Sequence, residues 1–183
     1  DNGQIVDVGA WMLVKCCTDL QQLQATLPAQ APLLRVAVNL SARQFADPGL
    51  AEHVREALAQ SGLPPEQLEL EITESTAMHD LQRTLEQLRR FKNMGLKLAI
   101  DDFGTGYSSL AYLQELPIDT IKVDRSFLSK LKGPPGGREW DGRLAAAIIA
   151  IGHSLRVDVV AEGVETEAQL NFLKEQQCQK AQG

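Results

Sequence analysis

Residues 96–123 read L-K-L-A-I-D-D-F-G-T-G-Y-S-S-L-A-Y-L-Q-E-L-P-I-D-T-I-K-V. Leu96–Ile100 predicts a strand, and a Gly-rich turn follows at Gly104-Thr105-Gly106. Ser108–Leu116 has helical character until Pro117, which cannot continue a helix, and Ile118–Val123 predicts the next strand. Two strands joined through a helix have the connection that a parallel pair with a right-handed crossover needs.

The same unit repeats outward in both directions. Arg35–Leu40 predicts a strand, followed by a helix started by Asp47-Pro48, carrying Leu50, Val54 and Leu58 and closed by Gly62. Gln67–Thr73 is the next strand; the helix after it spaces Leu81, Leu85, Leu88 and Phe91 on one face and ends at Gly95. Beyond the quoted unit, a helix over Leu144–Leu155 leads into a strand at Val157–Ala161 and a last helix at Glu165–Glu175. Five βα units in a row imply an α/β fold with a parallel sheet. A first helix over Val6–Ala25, with apolar Val8, Trp11, Val14 and Leu20, has no strand before it, and a strand begins close to Gly183. Closed eight-stranded barrels need about 250 residues, so the expectation is a (β/α) barrel incomplete at the N-terminus and clipped at the C-terminus. Gly133-Pro134-Pro135-Gly136-Gly137 is the one break in composition, and the Gly/Pro-rich segment 133–139 reads as a surface loop inside a single domain over 1–183.

Composition narrows the function. The chain has 183 residues, 18 Lys+Arg and 24 Asp+Glu, for a net charge of −6. That balance lacks the basic footprint that neutralises the phosphates of a nucleic-acid polymer. No apolar run is long enough to span a bilayer and the first residues do not form a signal peptide, so no membrane contact is expected. Cys16, Cys17 and Cys178 are odd in number and two are adjacent, which points to a reducing cytoplasm.

The strands end on polar residues: Asn39, Glu71, the pair Asp101-Asp102, Lys122 and Glu162. In α/β folds the carboxyl ends of strands gather on one face, where ligands sit. An amide oxygen with four carboxylates is a hard oxygen set suited to Mg²⁺ or Mn²⁺ and unsuited to zinc. His53, His79 and His153 fall on helices or helix starts, away from this row. Adjacent strand residues point to opposite faces, so Asp101 and Asp102 reach one point only where the strand is already turning. Alone, Asp102 reads as a turn cap; with the neighbouring acids it reads as a ligand. Lys122 admits an ion pair with a strand-end carboxylate or a cation that positions a water and offsets phosphate charge. Glu74 and Glu165, three residues beyond Glu71 and Glu162, are either first-turn helix acids or further site residues. Glu69, Asp119 and Asp124 are expected to face solvent or cap elements. Asp102-Phe103-Gly104 matches a kinase tripeptide, but neither a G-x-G-x-x-G nor an H-R-D accompanies it.

Five segments together resemble the EAL domain of cyclic di-GMP phosphodiesterases: Val38-Asn39-Leu40-Ser41-Ala42-Arg43-Gln44-Phe45, Glu71-Ile72-Thr73-Glu74-Ser75, Asp101–Leu110, Ile121-Lys122-Val123-Asp124 and Ala161-Glu162-Gly163-Val164-Glu165-Thr166. They stand in the family's order over essentially the whole chain. The resemblance implies a TIM-like barrel, two Mg²⁺ or Mn²⁺ ions per site and hydrolysis of cyclic di-GMP to linear pGpG. It places Asn39, Glu71, Asp101, Asp102 and Glu162 as metal ligands, with Asp101 the bridging one and Glu162 alternatively the water-activating carboxylate. Lys122 matches the lysine that orients the attacking water, Glu165 and Gln182 match further active-site positions, and Glu74 matches the anchor of the loop 102–110, which in the family couples the site to a homodimer. The Glu-Ala-Leu segment itself and the substrate-contacting arginine after it are expected before residue 1, and attached sensor or cyclase-like domains in the parent chain. A second function class stays open: a catalytically inactive module that binds cyclic di-GMP or a protein partner, as degenerate relatives do.

Overall fold

The computed structural model describes residues 4–28, 30–106, 110–131 and 141–183. The Gly/Pro-rich loop 133–139 and the motif residues 107–109 lie outside the described residues. The chain divides into two compact units, Asp1–Leu98 and Ala99–Gly183.

The first unit opens with helix α1 (Gln4–Thr26), strand β1 (Val36–Leu40), a one-turn helix α2 (Ala42–Phe45) and helix α3 (Leu50–Ser61). Strand β2 (Leu68–Thr73), helix α4 (Glu74–His79) and helix α5 (Leu81–Met94) follow. β1 and β2 pair in parallel, with Asn39 opposite Glu71. A short 3-10 turn at Pro65–Gln67 precedes β2, and the buried amide of Gln67 donates from Nε2 to the Leu34 carbonyl at 2.7 Å, tying the entry of β2 to that of β1. α5 forms where the spacing predicts it: Asp80 caps its first turn, Leu85, Leu88 and Phe91 are buried, and Gly95 closes it in the left-handed region at φ 92°.

Two expectations shift. α3 begins at Leu50 with Gly49 as its N-cap, three residues after Asp47, because Ser41 caps the separate turn α2 first. α1 buries Gly9, Leu13, Cys17 and Leu20, while Val8 and Trp11 stand 47% and 63% exposed. The helix packs chiefly on α3, and at Gly9 a Cβ would meet the Gln44 side chain of α2.

The second unit consists of β3 (Lys97–Phe103, its first two residues belonging to the first unit), α6 (Leu110–Leu113), β4 (Thr120–Val123), α7 (Arg125–Leu128), α8 (Arg143–Leu155), β5 (Asp158–Glu162), α9 (Glu167–Glu175) and β6 (Lys180–Gln182). β3–β4, β4–β5 and β5–β6 are all parallel pairs. Every residue of β4 is buried, the signature of a strand covered on both faces. α8 covers β4 and β5 with Ala145, Ile148, Ile149 and Gly152. β3 runs three residues further than its apolar run, through both aspartates to Phe103, with a register shift against β4 between Ile100 and Phe103. No described helix is long and apolar enough to cross a membrane.

Candidate functional site

The second unit gathers charge at the ends of β3, β4 and β5. Lys122, only 8% exposed, puts its Nζ 2.7 Å from Glu162 Oε1 and 3.5 Å from Asp101 Oδ1. A buried ammonium is tolerated only with such partners, since desolvation costs several kcal/mol per ion. The register explains the meeting: Val123 stands opposite Ala161, so Glu162 lies one step beyond the end of β4. Asp101 accepts a hydrogen bond at Oδ1 from the backbone N–H of Asp102 at 2.9 Å. Asp102 itself sits at φ 53°, so the strand is already turning there, as two adjacent convergent acids require.

Electrostatics mark the same spot. Burial first, then the charges of Asp101, Asp124 and Glu162, hold the Asp102 carboxyl above the usual carboxylate range, with Lys122 opposing. Asp124, expected to be a cap, does cap α7 through the Ser126 N–H at 3.0 Å, and it also contributes to this repulsion. Beside the cluster, a cavity of about 540 Å³ is lined by Asp124, Arg125, Ser126, Gly163, Glu165 and others. Glu165 is exposed on its wall, and Gln182 is the register partner of Glu162 on β6. Gly163 has φ +70°, and a Cβ there would lie 2.5 Å from Arg125 Cβ, so this turn has room only for glycine.

In the first unit, Asn39 is exposed and stands opposite Glu71, which is 3% exposed and engaged by other groups. Glu74 opens α4 and is 2% exposed, also engaged, so it is no ordinary solvent-facing first-turn acid. His53, His79 and His153 lie on α3, α4 and α8, as expected.

The oxygen donors of these carboxylate and amide side chains suit a hard divalent cation by their chemistry. Asp101 and Glu162 pair with Lys122; among the described residues no three His, Cys, Asp or Glu side chains form a group able to hold a metal ion.

The profile of the EAL domain matches residues 1–183. The chain belongs to the EAL domain family. This EAL chain is 46% identical over 182 residues to "Cyclic di-GMP phosphodiesterase NbdA" of Pseudomonas aeruginosa, covering 100% of itself and 22% of that protein. It is 45% identical over 181 residues to "Bifunctional diguanylate cyclase/cyclic di-GMP phosphodiesterase MucR" of the same organism, covering 99% of itself and 25% of that protein. It therefore spans about a quarter or less of these curated relatives. Among solved structures, "PaMucR Phosphodiesterase, c-di-GMP complex" superimposes with a TM-score of 0.89 at 43% identity, over 99% of this chain and 70% of that one. The EAL domain of Mycobacterium smegmatis DcpA gives 0.84 at 38% identity, over 96% and 76%. The fold class is the α/β, TIM-like barrel class of EAL domains.

Two residues of this EAL chain escaped the sequence reading. Gln44 and Gln169 are buried amides, each the third residue of a capping box opened by Ser41 or Thr166. The S/T-x-x-Q pattern was the available signal.

Proposed function

We propose that this domain hydrolyses cyclic di-GMP to linear pGpG as part of a longer, cytoplasmic bacterial signalling protein that also carries sensor or cyclase-like domains. The observation that carries the reading is the buried Lys122 bridging Asp101 and Glu162 in a chain that matches the EAL domain over its whole length. The relatives' names support the substrate.

In this reading, by the family resemblance, Asn39 and Glu71 of the first unit and Asp101, Asp102 and Glu162 of the second are the residues that would hold two divalent cations, Mg²⁺ or Mn²⁺. When bound, the cations supply Lewis acidity and the positive charge that an anionic substrate needs in an acidic protein. Lys122 orients the Glu162 and Asp101 carboxylates by ion pairing. Its ammonium also stabilises charge developing on the phosphoryl oxygens. Glu162 takes a proton from the attacking water, whose oxygen forms the new P–O bond as the bond to one 3′ oxygen breaks; the departing 3′ oxygen takes up a proton from solvent and leaves as a hydroxyl. Glu165 and Gln182 flank the reacting phosphate from the β5 turn and β6. The family resemblance assigns Glu74 the role of loop anchor, and a homodimer is part of the same reading.

The deciding experiment incubates the full chain with cyclic di-GMP and Mg²⁺ or Mn²⁺ and follows pGpG by chromatography. We expect pGpG from the wild type and a loss of at least about 10²-fold in Glu162→Gln with ligand binding preserved, the scale of a removed general base. Activity retained in Glu162→Gln removes that residue from the mechanism. Tight binding with no pGpG from the wild type selects the inactive binding module instead.

A further inference from the structure

The turn that leaves β5 carries Glu162 and Glu165, and one buried amide holds it. Gln169, 5% exposed, accepts at Oε1 from the backbone N–H of Glu165 at 2.8 Å and of Thr166 at 3.0 Å. Its Nε2 donates to the Leu128 carbonyl at 3.0 Å, 41 residues away in sequence. A capping box needs less than this. Closing the first turn of α9 takes only the reciprocal pair with Thr166, whose Oγ1 accepts from the Gln169 N–H at 3.2 Å. The bond to the Glu165 N–H and the reach to Leu128 are additional, and they explain why a capping residue is buried.

The additional bonds connect the parts of the site that must keep register. Leu128 is the last residue of α7, a helix capped by Asp124 and separated from Lys122 by Val123 and that cap alone. Glu165 follows Glu162 through Gly163, whose missing Cβ lets the turn lie against Arg125 of the same helix. Val164 donates its N–H to the Gln182 carbonyl at 3.0 Å, fastening the turn on its β6 side. Gln169 is thus the side chain that fastens the exit of the strand bearing Glu162 to the helix after the strand bearing Lys122.

We propose that Gln169 is a positioning residue for the hydrolysis: its amide sets where Glu165, and through the same turn Glu162, stand relative to Lys122. The inference rests on the phosphodiesterase reading above. With both ends of its amide engaged by backbone, Gln169 acts through these neighbours and not on substrate.

The test uses the full chain with two variants. Gln169→Met keeps length and loses all three side-chain bonds; Gln169→Glu keeps an acceptor for both N–H groups and gives up the Nε2 donor. Misplacing reacting groups by about 1 Å costs on the order of 10²-fold in rate. The expected order in kcat is therefore wild type, then Gln169→Glu lower by about threefold or more, then Gln169→Met lower by at least about tenfold, with KM within about twofold throughout. Amide hydrogen exchange supplies the second readout: Glu165 and Thr166 lose protection in Gln169→Met and keep it in Gln169→Glu, while the later turns of α9 stay protected in both. A folded Gln169→Met with kcat within about twofold of wild type overturns the proposal, as does faster exchange across all of α9, which marks a purely structural role. If Gln169→Met does not fold, Gln169→Glu decides on the same criterion, its kcat matching wild type being the overturning result. A wild type that makes no pGpG overturns the phosphodiesterase reading, and the positioning claim with it; the exchange pattern then separates a well-held turn without chemistry from a turn Gln169 does not hold.

Discussion

Asp102 combines two unfavourable features, a left-handed backbone at φ 53° and a carboxyl held above the usual range by burial first and then by the charges of Asp101, Asp124 and Glu162. Non-glycine residues adopt that backbone at a cost, and aspartate and asparagine bear it best. Both features bring a charge to a strand end where neighbouring acids converge, so activity and stability should pull apart at this residue. Asp102→Asn keeps the side-chain shape that tolerates the turn and removes one of the crowded charges. Without divalent cations it should raise the urea midpoint of unfolding, and excess Mg²⁺ or Mn²⁺ should narrow the gap by stabilising the wild type more. A midpoint below that of wild type in cation-free buffer would show that the Asp102 charge is already compensated. The same side chain illustrates what spacing can reveal: two adjacent acids at a strand end call for a turning strand, but the added repulsion from Asp124 depends on how the exits of β3 and β4 approach each other.

At the level of elements, α8 packs closely against β5 in the second unit. Gly152 faces Val159, and a Cβ at 152 would collide with Val159 Cγ2. Gly152→Ala therefore overpacks the helix against the strand, and although alanine favours helix by up to about 1 kcal/mol, the expected net loss is about 1–3 kcal/mol. Urea titration checks it; unchanged or increased stability would mean that α8 shifts without cost. Helix ends were legible because they are local: Gly62 and Gly95 adopt the left-handed caps that their positions suggest. Which face of α1 is buried was not. Its apolar residues cover several faces, and packing on α3, β1 and α2 selects Gly9, Leu13, Cys17 and Leu20 and leaves Trp11 exposed.

For the molecule as a whole, the cysteines report on folding. All three are free, and Cys17 is fully buried, its thiol pushed up to about 11 by burial first and by Cys16 second. In the unfolded chain a thiol ionises near about 8.5. The folded state thus holds the proton more tightly, so this contribution to stability is fully present below about pH 8.5 and is lost as the pH rises toward about 11. The urea midpoint of the wild type should fall more steeply over that window than that of Cys17→Ala. Parallel slopes would place Cys17 in a more solvated setting. The net charge of −6 takes on meaning at the same scale: Asp101, Asp102, Asp124 and Glu162 crowd one region of the second unit, with Lys122 as their buried counter-charge.

The sequence by itself determined the alternation of strands and helices, the parallel class of the sheet and the polar residue at each strand end, because periodicity, caps and turn residues act over a few positions. Only in the tertiary structure does Lys122 pair with Glu162 and Asp101 and does Gln169 reach Leu128. Those contacts join residues about 20 to 40 positions apart. Their existence depends on strand register and on how closely each helix lies against its strands, and a buried amide or ammonium is stable only where both have brought it a partner.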